Sequence, residues 1–146
     1  MHIGRLRLAG GLVVSALLVS LAFAAIALGK TTTLHATLSG ASEVPKASNG
    51  TGKATITLDA TKGRVCWSFK SLKGIPSPSA SHIHTGKSGK AGAVVVPLGA
   101  KFKTSGCQTG VSKSLIKKII KTPGAYYVNV HNAKFPNGAA RGQLHK

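Results

Sequence analysis

The sequence predicts an all-β fold: a Greek-key β-sandwich or barrel of seven or eight antiparallel strands with one short helix. Three observations carry this. Apolar and polar residues alternate with period two through most of the chain beyond residue 30. Clusters of Gly, Pro, Asn and Ser interrupt the alternation at short intervals. Helical periodicity occurs once, near residue 115. Alternation of this kind marks a strand with one buried face.

Residues 1–29 stand apart from that domain. Arg5 and Arg7 precede an uncharged stretch, Ala9 to Gly29, that is almost wholly apolar from Leu12 to Leu28. Ala27-Leu28-Gly29 sets small residues where a signal peptidase reads. One reading is a cleaved signal peptide. The other is an uncleaved N-terminal membrane anchor, since about 20 apolar residues span a bilayer. Either way residues 30–146 form one domain that is secreted or held in the cell envelope. Membrane contact is expected only through residues 9–29, if they stay attached. No Cys follows the apolar stretch, which argues against a lipoprotein.

After a linker-like Lys30–Thr33, the first strand is expected around Leu34, Ala36 and Leu38, which alternate with His35 and Thr37. Ala54, Ile56 and Leu58 predict the second; Val65, Trp67 and Phe69 predict the third. Val94-Val95-Val96 reads as a short buried strand ended by Pro97. Short strands are expected near Lys101–Thr104 and Gln108–Val111. Tyr126, Val128 and Val130 alternate with Tyr127, Asn129 and His131, and a last short strand is expected within Ala139–Leu144. Ser48-Asn49-Gly50, Lys62-Gly63, Pro76-Ser77-Pro78, Gly86 to Gly92 and Pro136-Asn137-Gly138 supply the turns. The helix starts at Ser112, a good N-cap, and stops at Pro123. Leu115, Ile116, Ile119 and Ile120 form its apolar face and four lysines the rest. Such a helix either lies on a membrane surface or, at this length, lids the barrel core.

Without residues 1–29 the chain has 117 residues, enough for one core. Removing Arg5 and Arg7 leaves 18 Lys and Arg against Glu43 and Asp59, a formal charge of +16. A field of this sign attracts polyanions. The lysines are dispersed and not interleaved with aromatics, so a specific nucleic-acid channel is not expected. Anionic cell-envelope polymers or an extracellular protein are the partners the charge and compartment suggest. Cys66 and Cys107 are the only cysteines. In an oxidising compartment such a pair is expected to form a disulfide, worth about 4 kcal/mol for a loop of about 40 residues. A thiol nucleophile is the alternative, but neither Cys has an activating neighbour in the sequence.

Four segments remain: Glu43-Val44-Pro45, Ser81-His82-Ile83-His84, Tyr126-Tyr127-Val128-Asn129-Val130-His131 and Arg141-Gly142-Gln143-Leu144. In that order they resemble the signatures of the CHRD domain, over roughly Leu34 to Leu144. This module is named from chordin and also occurs alone in secreted bacterial proteins. The resemblance implies an extracellular binding or structural module. Chordin's growth-factor role does not transfer, because the chain has none of chordin's Cys-rich modules. That two signatures contain Glu43 and Arg141 implies that these residues meet. Their ion pair would tie the first strand to the last, with Gly142 admitting another backbone.

His82-Ile83-His84 is the sharpest chemical feature. On a strand, residues i and i+2 face the same side, so both imidazoles can converge on one ion. His131 shares a face with Asn129 at a strand end. Three neutral imidazoles suit copper or zinc. The alternative is that these rings bond backbone carbonyls and lock loops. His-x-His followed by Val-Asn-Val-His on a Greek-key barrel resembles copper/zinc superoxide dismutase. That family also uses a bridging His and an Asp, whereas Asp59 is the only Asp here and lies in a turn. A binuclear site is therefore excluded, and a mononuclear copper site at His82, His84 and His131 remains, losing metal below about pH 6 as free imidazoles protonate. His35 and His145 read as surface residues. With two carboxylates in all, glycosidase and Ser-His-Asp chemistry are not expected. Gly86-Lys87-Ser88 lacks the upstream Gly and the following helix of a phosphate loop. The protein is expected to be non-enzymatic, unless a copper site gives it a redox role.

Overall fold

The computed structural model describes residues 31–146; the export-signal and anchor readings of residues 1–29 lie outside the described residues. Eight strands form one sheet. β1 (Thr31–Ser39), β2 (Thr51–Asp59) and β3 (Arg64–Lys73) make an antiparallel meander. β4 (Pro78–Thr85) and β5 (Val94–Pro97) form a hairpin. β6 (Ser105–Gln108) pairs with β3. β7 (Tyr126–Asn132) lies between β4 and β8 (Ala140–Gln143), and β8 returns beside β1. The spatial order is β5-β4-β7-β8-β1-β2-β3-β6.

The chain between β5 and β6 bridges the two ends of this order. Leu98 N and Phe102 N donate to Ser81 O and Ser79 O of β4, each at 3.0 Å. Phe69 N of β3 donates to Thr104 O at 2.7 Å. The sheet thus curls into a nearly closed barrel of Greek-key character, which leaves few backbone groups unpaired at an edge. The inward faces read as expected: Leu34, Leu38, Ile56, Leu58, Val65, Ile83 and Val128 are fully or almost fully buried. Helix α1 (Lys113–Lys121) starts at Ser112, whose Oγ accepts from Leu115 N. Ile116 and Ile119 sit in the core while its lysines face out. It is the lid; its apolar face is already buried. Among the described residues no helix is long and apolar enough to cross a membrane.

Four expectations change. Thr31–Thr33 are not linker: they continue β1 against Thr57–Asp59, as β-branched residues readily do. The strands expected near 101–104 and 108–111 are one strand, Ser105–Gln108. Residues 98–104 change partner from β4 to β3, so no regular ladder forms there. Val111 N donates to Gly63 O and steers the chain into the helix. Val94–Val96 is an edge strand and not a buried one; Val94 is exposed and only Val96 is in the core. Finally, β7 is buried on both faces along its whole length. Its inward residues meet the core. Its outward residues lie beneath loops, and that cover is where the chemistry collects.

Candidate metal centre

β4 and β7 are antiparallel neighbours with His82 opposite Asn129, His84 opposite Tyr127 and Ala80 opposite His131. Ile83, Val128 and Val130 fill the core side. Period two then sends His82, His84, Tyr127, Asn129 and His131 to the outer side of the wall. One ring nitrogen of each of His82, His84 and His131 lies within 4.8 Å of the others. Among the described residues this is the one group of three or more potential metal ligands. His35 and His145 are elsewhere, exposed and bridged to each other.

Two of the rings have their tautomers set by the loops above them. His84 Nδ1–H donates to the Gly92 carbonyl at 2.9 Å, and His131 Nδ1–H donates to the Pro136 carbonyl at 2.9 Å. A carbonyl only accepts, so each Nδ1 carries the proton and each Nε2 presents a lone pair. His131 Nε2 faces His82 Nδ1 at 3.0 Å and Asn129 Oδ1 at 2.9 Å. His84 Nε2 is buried and has no hydrogen-bond partner. An orphaned buried nitrogen of this kind costs about 1–3 kcal/mol. The two readings of the histidines, carbonyl-bonded locks or metal ligands, are therefore compatible. Ligating histidines ordinarily give their second nitrogen to a carbonyl or carboxylate.

The surroundings favour the neutral forms of His82 and His131. Burial pushes His82 down to about 4, helped by the nearness of His131 and His84. Burial also lowers His131, opposed by its bond to Pro136 and aided by His84. Tyr127 lies flat against His84, with centroids 4.9 Å apart and planes at 13°. Its hydroxyl accepts from Gly92 N at 3.2 Å, so Tyr127 braces both the ring and the loop that holds it. The Arg141 guanidinium carbon lies over the Tyr127 ring, 4.6 Å from its centroid.

Glu43 and Arg141 do meet, at 3.7 Å between Oε2 and Nε, both nearly fully buried. The contact differs from a forked ion pair. Arg141 Nε donates to Ser42 O and Nη1 to Lys90 O at 3.1 Å. Glu43 Oε1 and Arg141 Nη2 have no partner. Burial raises Glu43 to about 7, outweighing the attraction of Arg141. The carboxylate presses on Gly138, where a Cβ would lie 2.5 Å from Oε1 and φ is +135°. Arg141 therefore ties its own strand, β8, to two segments: the 42–43 turn and the 86–92 loop through Lys90. Cys66 and Cys107 are opposite each other on β3 and β6 and form a disulfide, with Cα atoms 3.9 Å apart. Asp59 accepts from Thr61 and Lys62 N in its turn, and these bonds hold it below the usual carboxylate range.

Sequence reasoning missed the roles of Asn129 and Tyr127. Both were legible as residues on the same strand face as His131. The Gly92 and Pro136 carbonyls were not legible, since no side chain announces a loop's backbone direction.

Compared with known proteins, the family model described as CHRD domain matches residues 34–144. No curated protein and no solved structure matches the chain.

Proposed function

We infer that this chain, which belongs to the CHRD domain family, is an extracellular-type module that acts by binding, and that its ligand is a copper ion. The observation that carries the reading is His84 Nε2: a buried lone pair without a hydrogen-bond partner, beside two further imidazoles. Gly92 and Pro136 hold the protons of His84 and His131 away from the centre, which readies both rings for a cation. Three imidazole nitrogen donors favour Cu(II) over Zn(II) by the Irving–Williams order. No carboxylate joins the cluster, so the chemistry on offer is ligation and, with copper bound, one-electron exchange, rather than hydrolysis by paired acids.

The test is isothermal titration of the metal-free domain with Cu(II) and Zn(II) at pH 7, beside His82→Ala. One Cu(II) per chain, tighter than Zn(II) and weakened in the variant, is the expected result. Equal, weak binding by both proteins would leave the histidines a structural role. Protons should compete late. With His82 near 4, its share of copper binding should persist well below pH 6, in contrast to free imidazole.

A second reading draws on the helix, whose Lys113, Lys117, Lys118 and Lys121 are all exposed. Together with the charge of +16 on residues 30–146, they favour attraction to anionic envelope polymers.

A further inference from the structure

Asn129 stands in an arrangement that the three-histidine reading leaves unexplained. Its Oδ1 is 2.9 Å from His131 Nε2, and that nitrogen has no proton to give, because the Pro136 carbonyl takes the hydrogen on Nδ1. Two lone-pair atoms therefore confront each other inside a wall where Asn129 is almost fully buried. His82 Nδ1 approaches the same nitrogen from a second direction, at 3.0 Å. A second proton on His131 would place a positive charge in a cluster that has no carboxylate, and a half-turn of the amide would aim its N–H at Nε2 and mask that lone pair. A cation shared by the donors relieves the clash by engaging both lone pairs directly.

The separations also carry geometry. Two donors each about 2.0–2.1 Å from one ion and 2.9 or 3.0 Å apart subtend about 90–95° at it. A tetrahedral ion with the same bonds needs about 3.3 Å between donors. Right angles among nitrogen and oxygen donors are the tetragonal preference of Cu(II).

Resting on the copper reading above, we propose that Asn129 is the fourth protein ligand, its amide oxygen completing a tetragonal three-nitrogen, one-oxygen Cu(II) site with His82, His84 and His131. The register of β4 and β7 builds it: Asn129 is directly opposite His82 and two residues before His131 on the same face. The four donors would then all come from the protein. A set of four protein donors suits a holder or carrier of Cu(II) better than a centre that must bind a substrate at the metal.

The experiment adds one equivalent of Cu(II) chloride to the domain and records electron paramagnetic resonance and pulsed hyperfine spectra. Wild-type protein labelled with 13C at the asparagine side-chain carbonyl is expected to show one strongly coupled carbon. Asn129→Ala should lose that coupling, weaken Cu(II) at least about tenfold and change the copper hyperfine splitting. Asn129→Asp, of the same shape and with an anionic oxygen, should keep the four-donor spectrum and bind more tightly. The labelled wild type decides the matter even if the alanine variant does not fold. Stoichiometric copper binding without 13C coupling would overturn the role of Asn129 and leave the three histidines in place. A wild type that binds no Cu(II) would overturn both.

Discussion

His84 shows how much one side chain's surroundings decide. Its Nδ1 is occupied by a backbone carbonyl, its ring is braced by Tyr127, and its Nε2 is left bare in a buried place. The convergence of His82 and His84 was legible in the sequence because strand period alone fixes it. The state of their protons was not, because it depends on where two loops aim their carbonyls. Glu43 makes the same point. Its meeting with Arg141 was implied by family signatures, but the burial that raises it to about 7 was invisible. That shift has a sign. A carboxyl raised above its ordinary 4.5 in the fold contributes stability that is complete below about pH 4.5 and is lost as pH rises through 7. Glu43→Gln keeps the neutral form at every pH. It should match wild type in a thermal melt near pH 4.5 and exceed it near pH 8. A variant less stable than wild type at pH 8 would mean that the Arg141 attraction outweighs burial. The depressed His82 and His131 act oppositely: their contribution is present above about 6.5 and fades as pH falls below it, for His82 down to about 4. The wild-type profile between those limits should therefore be flatter than that of Glu43→Gln.

At the scale of elements, β7 is the organising strand. Alternation in Tyr126–His131 correctly sorts its two faces, but an alternating strand is ordinarily solvated on one side. Here the outer face is roofed by the 86–92 and 132–138 loops, which supply the Gly92 and Pro136 carbonyls. Roofing converts polar outward residues into a buried constellation. Gly142 plays its part on β8, where any Cβ would collide with the Thr37 carbonyl of β1. Only glycine lets first and last strands close there, as the sequence suggested. The placement of β6 was not legible to the residue. Ser105–Gln108 is held by the register of Cys107 on Cys66, and a pairing across 41 residues is not encoded in local alternation. Replacing both cysteines with serine should lower stability by about 4 kcal/mol in the chain-entropy account. Denaturant melts of the double variant measure this. A loss below about 1 kcal/mol would show that β6 stays in place without the crosslink.

For the whole molecule, the sequence yields fold class, strand number and lid helix, while the closure of the barrel emerges only in three dimensions. β3 and β4 are consecutive in the chain yet are not paired. Residues 98–104 span the seam between them through Ser79, Ser81 and Phe69. Non-local joins of this kind follow from twist and closure rather than from any local pattern. The charge belongs to this scale as well. If the lysines attract envelope polymers, binding to a soluble polyanion should fall steeply between about 50 and 200 mM salt, since exposed charges are screened over about 10 Å. Copper uptake by buried imidazoles should change little over the same range. Salt-insensitive polyanion binding would argue for a specific polymer site instead of a diffuse field.

The most direct measurement is a thermal melt of the metal-free domain and of His84→Ala, each with and without a modest excess of Cu(II) at pH 7. A ligand that binds only the folded state adds about 4 kcal/mol at a thousand times its dissociation constant. The account expects copper to raise the wild-type melting temperature and to leave His84→Ala where it was. Removing the imidazole also removes the orphaned nitrogen, so the variant should still fold in the absence of metal. An unchanged wild-type melt, or an equal rise in both proteins, would contradict the copper centre.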